Sequence, residues 1–191
     1  LGVDPRFRLR ELAELRQALA PVGLTPGAYG LCVSTLEPRK KIDSLIEAWS
    51  GLPVSLRSRI PLVLAGAGGW RNEALVSRIE QGVSEGWLHR LGYVAEAELP
   101  MLYAGAAVFA YPSLYEGFGL PPLEAMACGV PVVLSNRSCL PEVCGDVPIY
   151  VDPDDPASMS RALERTLPDA AWDAAAARTG VEDGRGSTRE G

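Results

Sequence analysis

Lysine is nearly missing from this 191-residue chain: Lys40 and Lys41 are the two it has, side by side after Arg39. With 18 Lys+Arg against 24 Asp+Glu the net charge is −6, so the broad cationic face needed for phosphate-backbone capture is excluded. Nucleic acid is not an expected partner, and any anion site must be local. The single histidine, His89, argues against a His-rich zinc site and against a Ser/His/Asp triad, since it would have to be the lone base among apolar strand residues. The four cysteines, Cys32, Cys128, Cys139 and Cys144, form no C-x-x-C pair; reduced thiols in a cytoplasmic protein are expected, with a Cys139–Cys144 disulfide left open. No apolar run approaches the roughly 20 residues that span a bilayer. The first residues, LGVDPRFRLREL, have neither a signal peptide's apolar core nor an initiator Met, and read as a cut inside a longer protein.

What is present is a hydrophobic fraction of 47%, enough for a real core. Apolar runs at 29–34, 61–65, 87–92, 107–111, 131–134 and 148–151 predict buried strands. Helices are predicted at 9–20, 42–49, 72–85, 96–104, 121–128 and 156–167. In the second of these, Ile42, Leu45, Ile46 and Trp49 fall at i, i+3, i+4 and i+7, one face of an amphipathic helix. Alternation of continuously apolar strands with helices predicts an α/β domain, a Rossmann-like doubly wound parallel sheet. We expect residues 1–27 to be a linker and leading helix, 28–178 the domain proper, and the glycine-rich, aperiodic 179–191 a disordered tail.

Ligands of such sheets bind outside the carboxyl ends of the strands, which directs attention to the loops there. After the first strand comes Ser34-Thr35-Leu36-Glu37-Pro38-Arg39-Lys40-Lys41, hydroxyls and cations just ahead of a helix N-terminus. That combination suits a phosphate, although a solvated charged turn is the plainer reading. The loop Ala65-Gly66-Ala67-Gly68-Gly69-Trp70-Arg71 fails the G-x-G-x-x-G fingerprint because Arg71 stands where the last glycine belongs, so a NAD-dependent dehydrogenase is disfavoured. Its glycines permit either a tight turn or a close approach to a ligand.

The richest segment runs from Tyr111 to Pro131. Gly117 and Gly119 allow backbone N–H groups to face an anion, Pro121 and Pro122 suit the first turn of a helix, and Gly129 stops it. Glu124 is expected in that first turn, where the helix dipole keeps a carboxylate ionised and able to accept from vicinal hydroxyls. Glu116 lies eight residues earlier in the glycine loop. Two carboxylates could also be a glycosidase pair, or could simply complement the dipole and solvent. A hydrolase, however, has no use for the cationic loop.

Glu116 to Glu124 form an E-x7-E motif within EGFGLPPLEAMACGVPVV, and residues 35–40 read TLEPRK. Together they resemble the retaining glycosyltransferases of the GT-B fold, glycosyltransferase group 1, over about Gly2 to Leu167. GVDPRFR is similar to the linker between that fold's two Rossmann-like domains. The resemblance implies the C-terminal half of a GT-B fold, the domain that binds the nucleotide sugar, such as a GDP- or UDP-hexose. It implies that Glu124 binds the ribose hydroxyls, Glu116 the transferred sugar near the reacting carbon, and Lys40 with Arg39 the diphosphate. Glu116 and Lys40 would then be the catalytic pair. Thr35 and Gly117 would line the donor site, Phe118, Gly119 and Leu120 would present N–H groups to the donor, and Gly92-Tyr93-Val94 would contact the base. No cofactor and no metal are expected.

The family's N-terminal domain, which supplies the acceptor site, is absent from these residues, so the chain alone is expected to transfer little. Peripheral membrane association, at the inner face, would come through that missing half. Ser34-Thr35 stand where some members carry an additional arginine, and the residues after about Arg178 lack the long apolar helix that usually ends such domains. The activity implied is transfer of a hexose, mannose among them, to a glycan or lipid-linked acceptor in polysaccharide biosynthesis. The alternative is a non-catalytic nucleotide-sugar-binding or scaffold module of the same fold.

Overall fold

Strands apolar on both faces cannot be left facing water, and the computed structural model, which describes residues 2–68 and 72–179, covers them with helices on either side. The strands are β1 (Gly30–Val33), β2 (Leu62–Ala65), β3 (Leu88–Gly92), β4 (Val108–Tyr111), β5 (Val132–Ser135) and β6 (Ile149–Val151). All pairings are parallel, in the order β3-β2-β1-β4-β5-β6. This is the Rossmann-like doubly wound sheet expected, with every strand falling on a predicted apolar run. The order reverses between β1 and β4. Loops leaving those neighbouring strands diverge to opposite faces and open a crevice between them.

The helices are α1 (Leu12–Leu19), α2 (Ile42–Ser50), α3 (Val54–Arg59), α4 (Glu73–Ser84), α5 (Leu99–Ala104), α6 (Leu120–Ala127), α7 (Leu140–Cys144) and α8 (Pro156–Thr179). On one face α2 packs between α4 and α8; on the other α5 packs between α1 and α6. The amphipathic stripe of α2 is buried as its period requires, with Ile42, Leu45, Ile46 and Trp49 each at most 2% exposed. Each such side chain contributes about 1.5–3 kcal/mol by leaving water. The indole of Trp49 also donates to the carbonyl of Ile60 at 3.2 Å, so its one polar atom is satisfied.

Several boundaries differ from expectation. The first helix starts at Leu12 rather than 9, and Pro21 turns its end into a 3₁₀ turn over Ala20–Val22. The short helices α3 and α7 were not anticipated, because five or six residues hold too little apolar periodicity to register. The last helix continues past 167 to Thr179, so Thr179, expected in the tail, is helical. The rest of the expected tail, and Gly69, Trp70 and Arg71, lie outside the described residues. All four cysteines are free, so no disulfide joins Cys139 and Cys144.

Candidate functional site

The crevice is walled by the loops after β1 and β4, and the backbone itself ties them, Leu114 N–H donating to the Arg39 carbonyl at 2.8 Å. In the β1 loop, Glu37 collects its neighbours. Thr35 Oγ1 donates to one carboxylate oxygen at 2.7 Å and Arg39 Nε to the other at 2.8 Å. Those hydrogen bonds, Thr35 first, hold the Glu37 carboxyl below its ordinary range. Arg39 also donates to the carbonyl of Tyr115 at 2.9 Å. Pro38 to Lys40 form a 3₁₀ turn, and Lys41 follows at φ 52, a left-handed kink that starts α2 and lets its ammonium meet Asp154 at 3.0 Å.

This kink turns Lys40 inward. Its side chain is only 9% exposed, and its ammonium donates to Glu116 Oε1 at 2.5 Å and to the Tyr111 hydroxyl at 3.0 Å. The same Glu116 oxygen accepts from Tyr111 at 2.9 Å and from Ser113 Oγ at 2.5 Å. Burial alone would raise the Glu116 carboxyl, but the Lys40 and Ser113 hydrogen bonds, the Lys40 charge and Tyr111 together pull it below the usual carboxylate range. The Tyr111 hydroxyl is pushed up, by burial first and by Glu116 second, and stays a neutral donor. Ser138, at φ 59, completes the anchorage: its hydroxyl accepts from the Glu116 N–H at 3.2 Å and donates to the Glu116 carbonyl at 3.1 Å. Three side-chain donors thus hold one carboxylate oxygen, and among the described residues no donor holds the second.

Beyond Glu116 the loop is open. A Cβ at Gly117 would meet nothing within 4 Å, and Phe118 and Leu120 are 41% and 48% exposed. Gly119 is the N-cap of α6 at φ 79, a conformation side chains resist, and a Cβ there would also strike Leu140 at 2.9 Å. Because α6 begins at Leu120, with Pro121 and Pro122 behind it, Glu124 is in the second turn, not the first as expected. Burial, with Asp4 and Glu96 adding like charge, raises its carboxyl above the usual range against the opposing Tyr103 hydroxyl. The expectation of a dipole-stabilised carboxylate is thus corrected. The dipole's influence fades within the first turn, and desolvation dominates beyond it.

The remaining expectations divide. Lys40, Arg39 and Glu116 converge, with Thr35 one step away through Glu37. Val94 does not join them: with Leu91, Tyr93, Met101, Leu102 and Leu19 it lines a cleft of about 380 Å³ between α1 and the loop after β3. Of the two roles left open for the glycine loop, Gly66 fits close approach, but to the chain itself. At φ 137, a Cβ on it would lie 2.1 Å from the Ser34 carbonyl. His89 pairs with Val63 in the sheet, away from the crevice. Tyr111, Ser113 and Ser138 were missed. Ser113, three residues before Glu116, carried a local signal in its spacing, whereas Tyr111 looked like the last apolar residue of a strand.

The family description Glycosyl transferases group 1 matches residues 28–169, and the chain belongs to that family. It is 47% identical over 163 residues to O-antigen chain mannosyltransferase B of Escherichia coli, an alignment covering 85% of this chain and 43% of that protein. The chain thus spans less than half the length of this relative. A crystal structure of the C-terminal domain of a group 1 glycosyl transferase, LpcC of Francisella tularensis, shares the fold with a TM-score of 0.72 at 22% identity. The likeness covers 93% of this chain and 98% of that one. Anabaena HepE, solved in complex with UDP-glucose, shares it with a TM-score of 0.75 at 21% identity, over 95% of this chain and 51% of that one.

Proposed function

We propose that this group 1 glycosyl transferase chain is the C-terminal, donor-binding half of a retaining enzyme. In this reading it takes a hexose, in the first instance mannose, from a GDP or UDP carrier to a glycan or lipid-linked acceptor. The observation that carries the reading is Glu116: one oxygen is anchored by Lys40, Tyr111 and Ser113, and the other is free to accept from sugar hydroxyls. An anchored carboxylate selects geometry without having to be reorganised as the ligand arrives.

Departure of a nucleoside diphosphate leaves an electron-poor anomeric carbon and places negative charge on the leaving phosphate. Lys40, Arg39 and the N–H groups of Phe118, Gly119 and Leu120 supply the complementary positive charge, most useful in the transition state. The reading needs no resident metal ion. Glu124 accepts from the ribose, and Val94 stands where the base would rest. The matched relative is by name an O-antigen chain mannosyltransferase, which supports mannose; the acceptor site would belong to the half this chain does not include. Among the described residues no helix is long and apolar enough to cross a membrane.

Calorimetric titration of the chain with GDP, UDP and ADP and their nucleosides tests this. Selective binding of one diphosphate is expected, with Lys40→Ala weakening diphosphates far more than nucleosides. Equal losses for both, or equal affinity for all three bases, would contradict the reading.

A further inference from the structure

The loop after β1 is cationic in sequence, but in the fold its three cations are matched one for one by carboxylates. Arg39 meets Glu37 at 2.8 Å, Lys40 meets Glu116 at 2.5 Å and Lys41 meets Asp154 at 3.0 Å. Two of these carboxylates have an evident part: Glu116 anchors the crevice, and Asp154, in the segment after β6, also lies 3.8 Å from Arg137. Glu37 has none. It stands inside the loop itself, where a negative charge opposes the capture of an anion. A solvated bystander would be free to swing away, whereas Glu37 is held at both oxygens, Oε1 by the Thr35 hydroxyl at 2.7 Å and Oε2 by Arg39 Nε at 2.8 Å. The same guanidinium reaches to 3.8 Å from Glu116 Oε1 through Nη1, so a single arginine head separates Glu37 from the carboxylate at the centre of the crevice. The hydrogen bonds from Thr35 and Arg39 hold the Glu37 carboxyl low, and it is ionised at neutral pH.

We propose that Glu37 is a specificity-determining residue that sets how much negative charge the donor site accepts: by offsetting Arg39 it favours the nucleotide sugar over the free nucleoside diphosphate and triphosphate. The inference rests on the reading of Arg39 and Lys40 as the partners of the diphosphate. Near neutral pH a nucleoside diphosphate sugar carries about two phosphate charges, the free diphosphate about three and the triphosphate about four. Beside unpaired cations each further charge would add attraction, and the more highly charged nucleotides would fill the site. Glu37 repels every one of those charges, so its penalty grows along the series and selects against the wrong ligand. The same bias acts on the product. In the proposed transfer the bond from the anomeric carbon to the phosphate oxygen breaks with its electron pair left on oxygen, the sugar bonds to the acceptor oxygen, and the acceptor's proton leaves. The departing diphosphate therefore carries one more negative charge than it did in the donor, and Glu37 opposes its retention.

Calorimetric titration of the chain with GDP-mannose, GDP and GTP, and with UDP-glucose, UDP and UTP, at low salt and without divalent cations, tests it. Glu37→Gln removes the charge and keeps an acceptor for Arg39. In the series that binds, its affinity should rise about threefold for the sugar nucleotide, about fivefold for the diphosphate and about tenfold for the triphosphate. Those gains should shrink below about twofold in about 1 M salt, where the screening length is about 3 Å. Glu80→Gln, an equal change of charge at an exposed position of α4, should leave all affinities within about twofold of the parent. Equal changes for the three ligands, a gain that survives high salt, or the same gain in Glu80→Gln would overturn the proposal. A loss for all three would also overturn it and would leave Glu37 as a brace for Arg39. Equal losses for diphosphates and nucleosides in Lys40→Ala would overturn the diphosphate reading itself, and absence of any nucleotide binding by the parent chain would overturn both.

Discussion

The ammonium of Lys40 lies 2.5 Å from Oε1 of Glu116, joining residues 76 positions apart at the point where the sheet order reverses. Both side chains are almost fully buried, at 9% and 10% exposure, so the pair is little screened by water. A buried pair of this kind need not be a net gain over apolar residues, but either charge left alone is costly.

Lys40→Met should therefore cost about 3 kcal/mol in denaturant unfolding, because Glu116 keeps a buried charge that Tyr111 and Ser113 still hydrogen-bond but whose remaining cation is Arg39, at 3.8 Å. The double variant Lys40→Met/Glu116→Gln should recover most of that loss. A double variant as unstable as the single would show that the cost lies in lost packing by the lysine stem.

Acid should expose the same pair. The Glu116 carboxyl is held below its reference value of 4.5, so its stabilisation is complete above that value and is lost as pH falls through the lower folded-state value. Glu116→Gln should flatten the decline of Tm below about pH 4.5 while lowering Tm at neutral pH. Parallel acid limbs in variant and parent would place the titration elsewhere, in partly exposed groups such as Glu37 or Asp152.

Glu124 has the opposite sign. Its carboxyl is raised by burial first, so the fold favours the protonated acid, and stability is lost as pH rises through the folded-state value. Glu124→Gln should raise stability at neutral pH by up to about 1 kcal/mol. The same variant should weaken nucleotide binding about tenfold, and Glu124→Ala by about 1–3 kcal/mol. A glutamine variant that is both less stable and unimpaired in binding would remove Glu124 from the site.

Gly66 tests the wall of the crevice. Alanine there meets both φ 137 and the Ser34 carbonyl at 2.1 Å, and should cost more than about 2 kcal/mol. Gly86→Ala, at φ 82 with nothing within 4 Å, bears the conformational strain alone and should cost about 1 kcal/mol. Unfolding midpoints of the two variants separate the clash from the strain, and equal losses would refute the close approach.

Much of this fold is legible in local pattern. Continuous apolar runs mark most of the strands because a strand covered on both faces has few polar positions, whereas the edge strand β3, LHRLG, carries His89 and the exposed Arg90; α2 declares itself through four apolar residues on one stripe. Lys40, Arg39, Glu116 and Glu124 stand out by composition, being charged residues in the segments that follow β1 and β4, in a chain with two lysines. The short α3 and α7 carry too few residues to impose a period, and the start of α6 turns on a single left-handed glycine. That is why Glu124 moved from the first turn to the second, out of reach of the dipole and into the control of desolvation.

Pattern, then, settles which segments form the strands and the longer helices and which loops carry charge, since their burial and backbone hydrogen bonding repeat within a few residues of each position. It is silent about which loops become neighbours. The strand order brings the β1 and β4 loops together, and with that adjacency Lys40 becomes the partner of Glu116. Tyr111 changes from a strand's last apolar residue into a donor to Glu116. Electrostatic shifts depend on distances and solvent exclusion across the whole sheet, and these exist only once the chain has closed on itself.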